Sequence, residues 1–200
     1  MDNVLSKAER TRQFIIETTA GIFNTKGYAG TSLSDLTEAT HLTKGSIYGN
    51  FENKEDVALA VFDYNLAKIR KAVGPRIQKA DNYHDKLMVY AQVYHSFSGA
   101  SFPAGGCPIL NTAVEADDTN TLLKAKAAKA VTDWKKEIST LILAGIEAGE
   151  FKADTDADRL AYSIIALIEG GIMIAKITGH SANLDKILMT AESLILQLKA

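Results

Sequence analysis

Two hundred residues with an apolar fraction of 46% and three prolines describe a globular chain with enough length for a real core, and the one cysteine excludes an internal disulfide framework or a thiolate metal cage. A formal net charge of -2 argues against a protein that coats nucleic acid by bulk electrostatics. The first fifty residues hold five positive against five negative side chains, so any DNA binding there must come from placed contacts.

The opening residues, MDNVLSKAER, lack a basic start, an apolar run and a small-residue cleavage site, which predicts a cytoplasmic protein without a signal peptide. The longest apolar stretch, residues 164–177, is interrupted by Glu169, Gly170, Gly171 and Lys176, so no membrane span is expected. The first helix is predicted over residues 6–26. Phe14, Ile15, Thr18, Ile22 and Phe23 follow a 3.6-residue period, and Gly27 supplies a left-handed stop. Arg10 and Arg12 lie off that face, available to phosphate or to solvent.

Residues 31–51, TSLSDLTEATHLTKGSIYGNF, read as two short helices joined by a tight turn. Ser32 caps the first and Thr43 the second, because each hydroxyl can accept a free backbone N–H. The break falls at Thr40-His41-Leu42. Helices this short are unstable alone and must lean on neighbours, the usual condition of a helix-turn-helix whose second member enters the DNA major groove. A long helix then starts after Asn53, with Glu55 and Asp56 where the dipole favours anions, and runs to Gly74-Pro75.

The run from Gly27 to Val57 resembles the DNA-binding domain of TetR/AcrR-family transcriptional repressors. The matching residues are Gly27-Tyr28, Thr31-Ser32, Gly45-Ser46-Ile47-Tyr48-Gly49-Asn50-Phe51 and Lys54-Glu55. The turn departs from the family pattern, with Thr40-His41-Leu42 where Ala-Gly-Val is usual. Histidine is among the non-glycine residues that best tolerate a positive backbone angle, so the turn should survive at small strain. The resemblance implies phosphate contacts from Thr31, Tyr48 and Lys54, and groove-facing positions for Thr43, Lys44, Ser46 and Gly49; Asn50 completes the DNA-facing set. Lys44 can donate to guanine O6 and N7, whereas Leu33, Leu36, Leu42, Ile47 and Phe51 belong to a small core.

Beyond Pro75 the pattern is that of a helical bundle. A helix over 82–98 carries the aromatic stripe Tyr90, Tyr94 and Phe97, and residues 98–108, SGASFPAGGCP, form a loop. Further helices are predicted over 109–116, 119–148, 156–177 and 182–198. The last two are apolar on more than one face, which in a chain of this size is most simply met by a second copy, giving a two-fold four-helix interface.

The implied fold is all-α: an N-terminal three-helix helix-turn-helix DNA-binding domain, residues 1–52, joined to a C-terminal ligand-binding and dimerisation bundle, residues 53–200, about nine helices in all. The implied function is a ligand- or redox-responsive regulator, a repressor, that binds a palindromic operator as a homodimer through its last two helices and is released by a small-molecule or electrophile effector. The rival reading is a helical small-molecule-binding or protein-interaction module without DNA. No enzyme, cofactor or metal site is expected, since His41, His84, His95 and His180 are scattered and Glu115-Ala116-Asp117-Asp118 reads as a solvated helix end. The resemblance implies an effector pocket, which Tyr90, Tyr94, Phe97, Phe102 and Trp134 could line. Cys107 ahead of a helix N-terminus suggests a reactive sensor thiol, with Lys176, a charge in the most apolar helix, as its activator.

Overall fold

The computed structural model describes residues 6–97, 99 and 102–200. Residues 98, 100 and 101 of the expected loop lie outside them, as do residues 1–5. Among the described residues there are nine helices and no strand: α1 (Lys7–Gly30), α2 (Leu33–Thr40), α3 (Lys44–Tyr48), α4 (Lys54–Lys79), α5 (Tyr83–Tyr94), α6 (Pro108–Ala116), α7 (Thr121–Glu147), α8 (Ala157–Thr178) and α9 (Ala182–Leu196). They group into two compact units. One comprises the chain up to Lys68 together with Pro103–Ala127, and the other comprises Ile69–Phe102 with Ala128–Ala200. The divisions between these units fall inside α4 and α7.

The caps explain where the helices of the first unit begin. Ser6 and Glu9 form a reciprocal capping box at α1, Ser32 and Asp35 another at α2, and Thr43 accepts the N–H of Ser46 at α3. His41 ends α2 at φ 55°, ψ 24°, so the left-handed turn expected of the histidine is present. The unit closes around Ile15, Phe23, Leu36, Ile47, Phe51, Val57 and Val61. Phe14 does not join them; it is 46% exposed, and the inward face of α1 is set by Ile15, Thr19, Ala20 and Phe23.

Three expected helix ends move. Gly27 does not terminate α1 but holds φ 76°, ψ 175° within it, kinking the helix three residues before its end at Gly30. Pro75 does not stop α4, which continues to Lys79. A proline frees the carbonyl four residues earlier, that of Lys71, and on an exposed face the cost is bearable. Instead of reaching residue 98, α5 ends at Tyr94.

In the second unit α8 packs on α9 and on α5, burying Ile164, Ile165, Ile168 and Ile172 from α8 and Leu184, Leu188, Ala191 and Ile195 from α9. Glu150 accepts the free N–H groups of Tyr83 at 2.8 Å and His84 at 3.1 Å at the start of α5. Contrary to the sequence expectation, α8 is long and apolar enough to cross a membrane by length and composition, because Glu169 and Lys176 are too few to lower its mean hydropathy sufficiently. Its apolarity serves two faces: one is buried as above, and the other exposes Tyr162, Met173, Ile174 and Ile177.

Candidate nucleic-acid interface

The second helix of the motif, α3, is five residues long and is anchored by a single fully buried side chain, Ile47. Around that anchor Thr43, Lys44, Gly45 and Gly49 are exposed, while Ser46, Tyr48 and Asn50 are partly so. Lys44 thus projects from the first turn into solvent. Thr43 spends its hydroxyl oxygen on the N–H of Ser46 at 3.1 Å, leaving its O–H to donate. Tyr48 packs its ring against the core while remaining part-exposed, the half-buried placement that lets one ring both hold the helix and reach a phosphate. Gly49 sits at φ -75°, so it meets no conformational demand; its value is a low surface where another molecule can approach.

Asn50 is turned inward: its amide donates to the carbonyl of Ser46 at 2.9 Å and closes the end of α3. Its own carbonyl accepts from the guanidinium of Arg12 on α1. Arg12 also lies 3.9 Å over the ring of Phe51 and 3.4 Å from Asp56. Although its side chain remains 39% exposed, Arg12 therefore ties α1 and α4 to the end of α3.

Two expected phosphate contacts change character. Thr31 is 0% exposed, and its hydroxyl donates to the carbonyl of Gly27 at 2.6 Å, so its side chain has no path to DNA in this conformation. Lys54 donates to the carbonyls of Tyr28 and Thr31, each at 2.8 Å, with its ammonium 4.3 Å over the Tyr28 ring. Two of its three N–H groups are engaged inside the fold, which makes it a clamp on the turn between α1 and α2.

The sequence missed a partner of this turn. Glu115 on α6, read as part of a solvated acidic end, accepts the N–H of Tyr28 at 2.8 Å and of Ala29 at 2.7 Å. A polar seam continues from it: Asn24 donates to the carbonyls of Ala104 and Gly106, and Asn111 donates to those of Asn24 and Gly105. Gly105 holds φ 88°, and a Cβ there would lie 2.7 Å from the Thr25 hydroxyl. The Gly-Gly-Cys-Pro segment is thus shaped by packing on α1. Only the glycines of this segment, as a turn signal, were legible beforehand.

The thiol expected to act as a sensor is buried. Cys107 is 1% exposed as the N-cap of α6, so an oxidant or electrophile has no access to the thiol in this conformation. Lys176, in the other unit, is exposed in the last turn of α8, where the helix dipole favours a cation, and needs no buried anion to explain it.

The aromatic candidates of the second unit separate into two groups. Tyr94, Phe97, Phe102 and Trp134 are buried against one another, with ring centroids 4.8 to 6.0 Å apart, and form packed core. Tyr90 lines a cleft of about 510 Å³, together with Gly74, Ile77, Gln78, Asp133, Lys136, Glu137, Thr140 and Leu141. Burial pushes the Tyr90 phenol well above its ordinary pKa, so it stays a neutral donor. No cluster of histidine, cysteine or carboxylates suited to a metal ion occurs among the described residues.

Comparison with known proteins agrees with this geometry. Residues 15–61 match the profile described as bacterial regulatory proteins, tetR family, and residues 84–191 match the tetracyclin repressor-like C-terminal domain. A TetR-family transcriptional regulator from Cytophaga hutchinsonii superposes with a TM-score of 0.94 at 52% identity over 98% of both chains. Another, from Chloroflexus aurantiacus J-10-FL, gives 0.92 at 38% identity, again over 98% of both. The HTH-type transcriptional repressor DhaR of Mycobacterium sp. (strain GP1) is 26% identical over 88% of each chain.

Proposed function

The chain belongs to the tetR family of bacterial regulatory proteins, and from that premise and the surface of α3 we infer that it is a ligand-responsive, DNA-binding transcriptional repressor. The observation that carries the reading is the exposure of Thr43, Lys44, Gly45 and Gly49 around a short helix pinned on its buried side by Ile47, with Tyr48 partly packed beside it. Thr43, Lys44, Ser46 and Tyr48 supply the contacts. Lys44 donates to a base edge, and the hydroxyls and the Tyr48 ring set the register on the backbone. With five positive against five negative residues in the first fifty, one copy binds weakly and two are required.

The second copy is held by the outward faces of α8 and α9. Tyr162, Ala166, Gly170, Met173, Ile174 and Ile177 recur one turn apart along α8, and Met189 and Leu196 lie two turns apart along α9. Ile177 is 82% and Met189 61% exposed in the single chain, and a Cβ on Gly170 would meet nothing within 4 Å. Such a stripe, large at its ends and small in its middle, suits close crossing of two helix pairs in a two-fold dimer. DNA reading is assigned to residues 1–52, and effector binding and dimerisation to 53–200. The effector, a small organic molecule, enters the cleft lined by Tyr90, whose size suits such a ligand. The protein works in the cytoplasm, where its operator is.

Selection of bound duplexes from a random pool tests the reading. Enrichment of a two-fold symmetric sequence, with affinity that falls steeply as salt rises, is expected. Absence of enrichment would overturn it.

A further inference from the structure

At Gly27, φ 76° and ψ 175° interrupt the hydrogen-bond ladder of α1. A straight helix would carry the N–H of Tyr28 to the carbonyl of Asn24 and that of Ala29 to Thr25. Across the kink both N–H groups go instead to the carboxylate of Glu115, at 2.8 and 2.7 Å, and the carbonyl of Asn24 accepts the amide of Asn111 at 2.9 Å. Asn111 and Glu115 stand four residues apart, on one face of α6. One supplies the donor and the other the acceptor that the broken helix lacks. The fit is close: a Cβ on Gly27 would lie 2.4 Å from a Glu115 oxygen, so only glycine leaves room for the carboxylate.

The corner so completed leads directly to DNA-facing structure. Thr31 and Ser32 follow, with Ser32 capping α2, and α3 begins after the His41 turn. We propose that Asn111 and Glu115 are positioning residues for DNA reading: by completing the backbone hydrogen bonds broken at the Gly27 kink, they fix the direction in which α2 and α3 leave α1. The proposal rests on the DNA-reading function inferred above. The effect of α6 is on the angle at which Lys44 is presented.

The test uses the full chain and the duplex enriched by the wild type. Glu115→Gln keeps the shape of the side chain but places an amide NH2 against one of the two N–H groups. Expected are about a tenfold loss of affinity for the enriched duplex, with a smaller loss for random-sequence duplex, and faster hydrogen exchange at the Tyr28 and Ala29 amides while the rest of the first unit keeps its protection. Asn111→Ala, which removes the donors to the Asn24 and Gly105 carbonyls but leaves the Glu115 carboxylate in place, should show the same local signature in smaller measure and decides the matter if Glu115→Gln does not fold. Unchanged affinity would overturn the proposal, as would a loss matched by raised exchange throughout the unit, which would mark a merely structural role. A wild type that enriches no sequence would instead overturn the DNA-reading function itself.

Discussion

Lys54 and Tyr28, 26 residues apart in the chain, are joined twice: the ammonium donates to the Tyr28 carbonyl at 2.8 Å and lies 4.3 Å over its ring. A second bond to the Thr31 carbonyl makes Lys54 a clamp on the turn that Glu115 holds from the opposite polarity, one taking carbonyls and the other N–H groups. The family motif places a lysine here, and the fold shows what it holds.

Lys54→Met should therefore destabilise the fold. Two charge-assisted bonds to part-buried carbonyls and one cation–π contact are lost, for about 2 kcal/mol. Urea unfolding measures this, and DNA affinity should fall alike for all sequences, because the lysine contacts no base. A variant of wild-type stability whose binding alone is weakened would return Lys54 to a phosphate role.

The capping box of α2 gives a pH dependence. Hydrogen bonds from Lys26 and then Ser32 hold Asp35 at about 2 against an ordinary 3.8. A lowered folded-state pKa contributes stability that is complete above the unfolded value and is lost as pH falls through the window between those two values. The group is still partly open to solvent, so the effect is modest. Asp35→Asn should lower the thermal midpoint at neutral pH, and the gap from wild type should close as pH falls from about 4 toward about 2. A gap that is constant with pH would remove Asp35 ionisation from the account of this cap.

The outward stripe of α8 predicts the assembly. Met173→Glu replaces a side chain 50% exposed in the single chain, so monomer stability should change by less than about 0.5 kcal/mol. In a dimer it buries a charge without a partner, and sedimentation should show the variant monomeric at concentrations where wild type is dimeric. A variant that remains dimeric would place the interface elsewhere.

Much of the fold was legible because its signals are local. Ser32 and Thr43 each cap the helix they precede, and His41 adopts the positive angle its turn requires. Gly27 and Pro75 misled for a physical reason: both are helix breakers, yet a breaker ends a helix only where nothing replaces the lost hydrogen bonds. At Gly27 they are replaced by α6, 87 residues away in the chain, and at Pro75 the freed carbonyl faces the exposed side. The same distance hid the roles of Arg12, Lys54 and Glu115, because no spacing encodes a contact between helices. The aromatic stripe was visible as a stripe. Whether it lined a pocket or stacked as core depended on α7 bringing Trp134 within 6.0 Å of Tyr94.

The most direct measurement is selection from a random duplex pool, with wild type and Lys44→Ala run side by side. Lys44 is exposed on α3, so its loss should leave the fold intact while costing about 1–3 kcal/mol of discrimination at the base it reads. Wild type should enrich a two-fold symmetric sequence, and Lys44→Ala the same sequence with preference erased at one symmetric pair of positions. An asymmetric wild-type site, or identical profiles for the two proteins, would contradict base reading by α3 of paired chains.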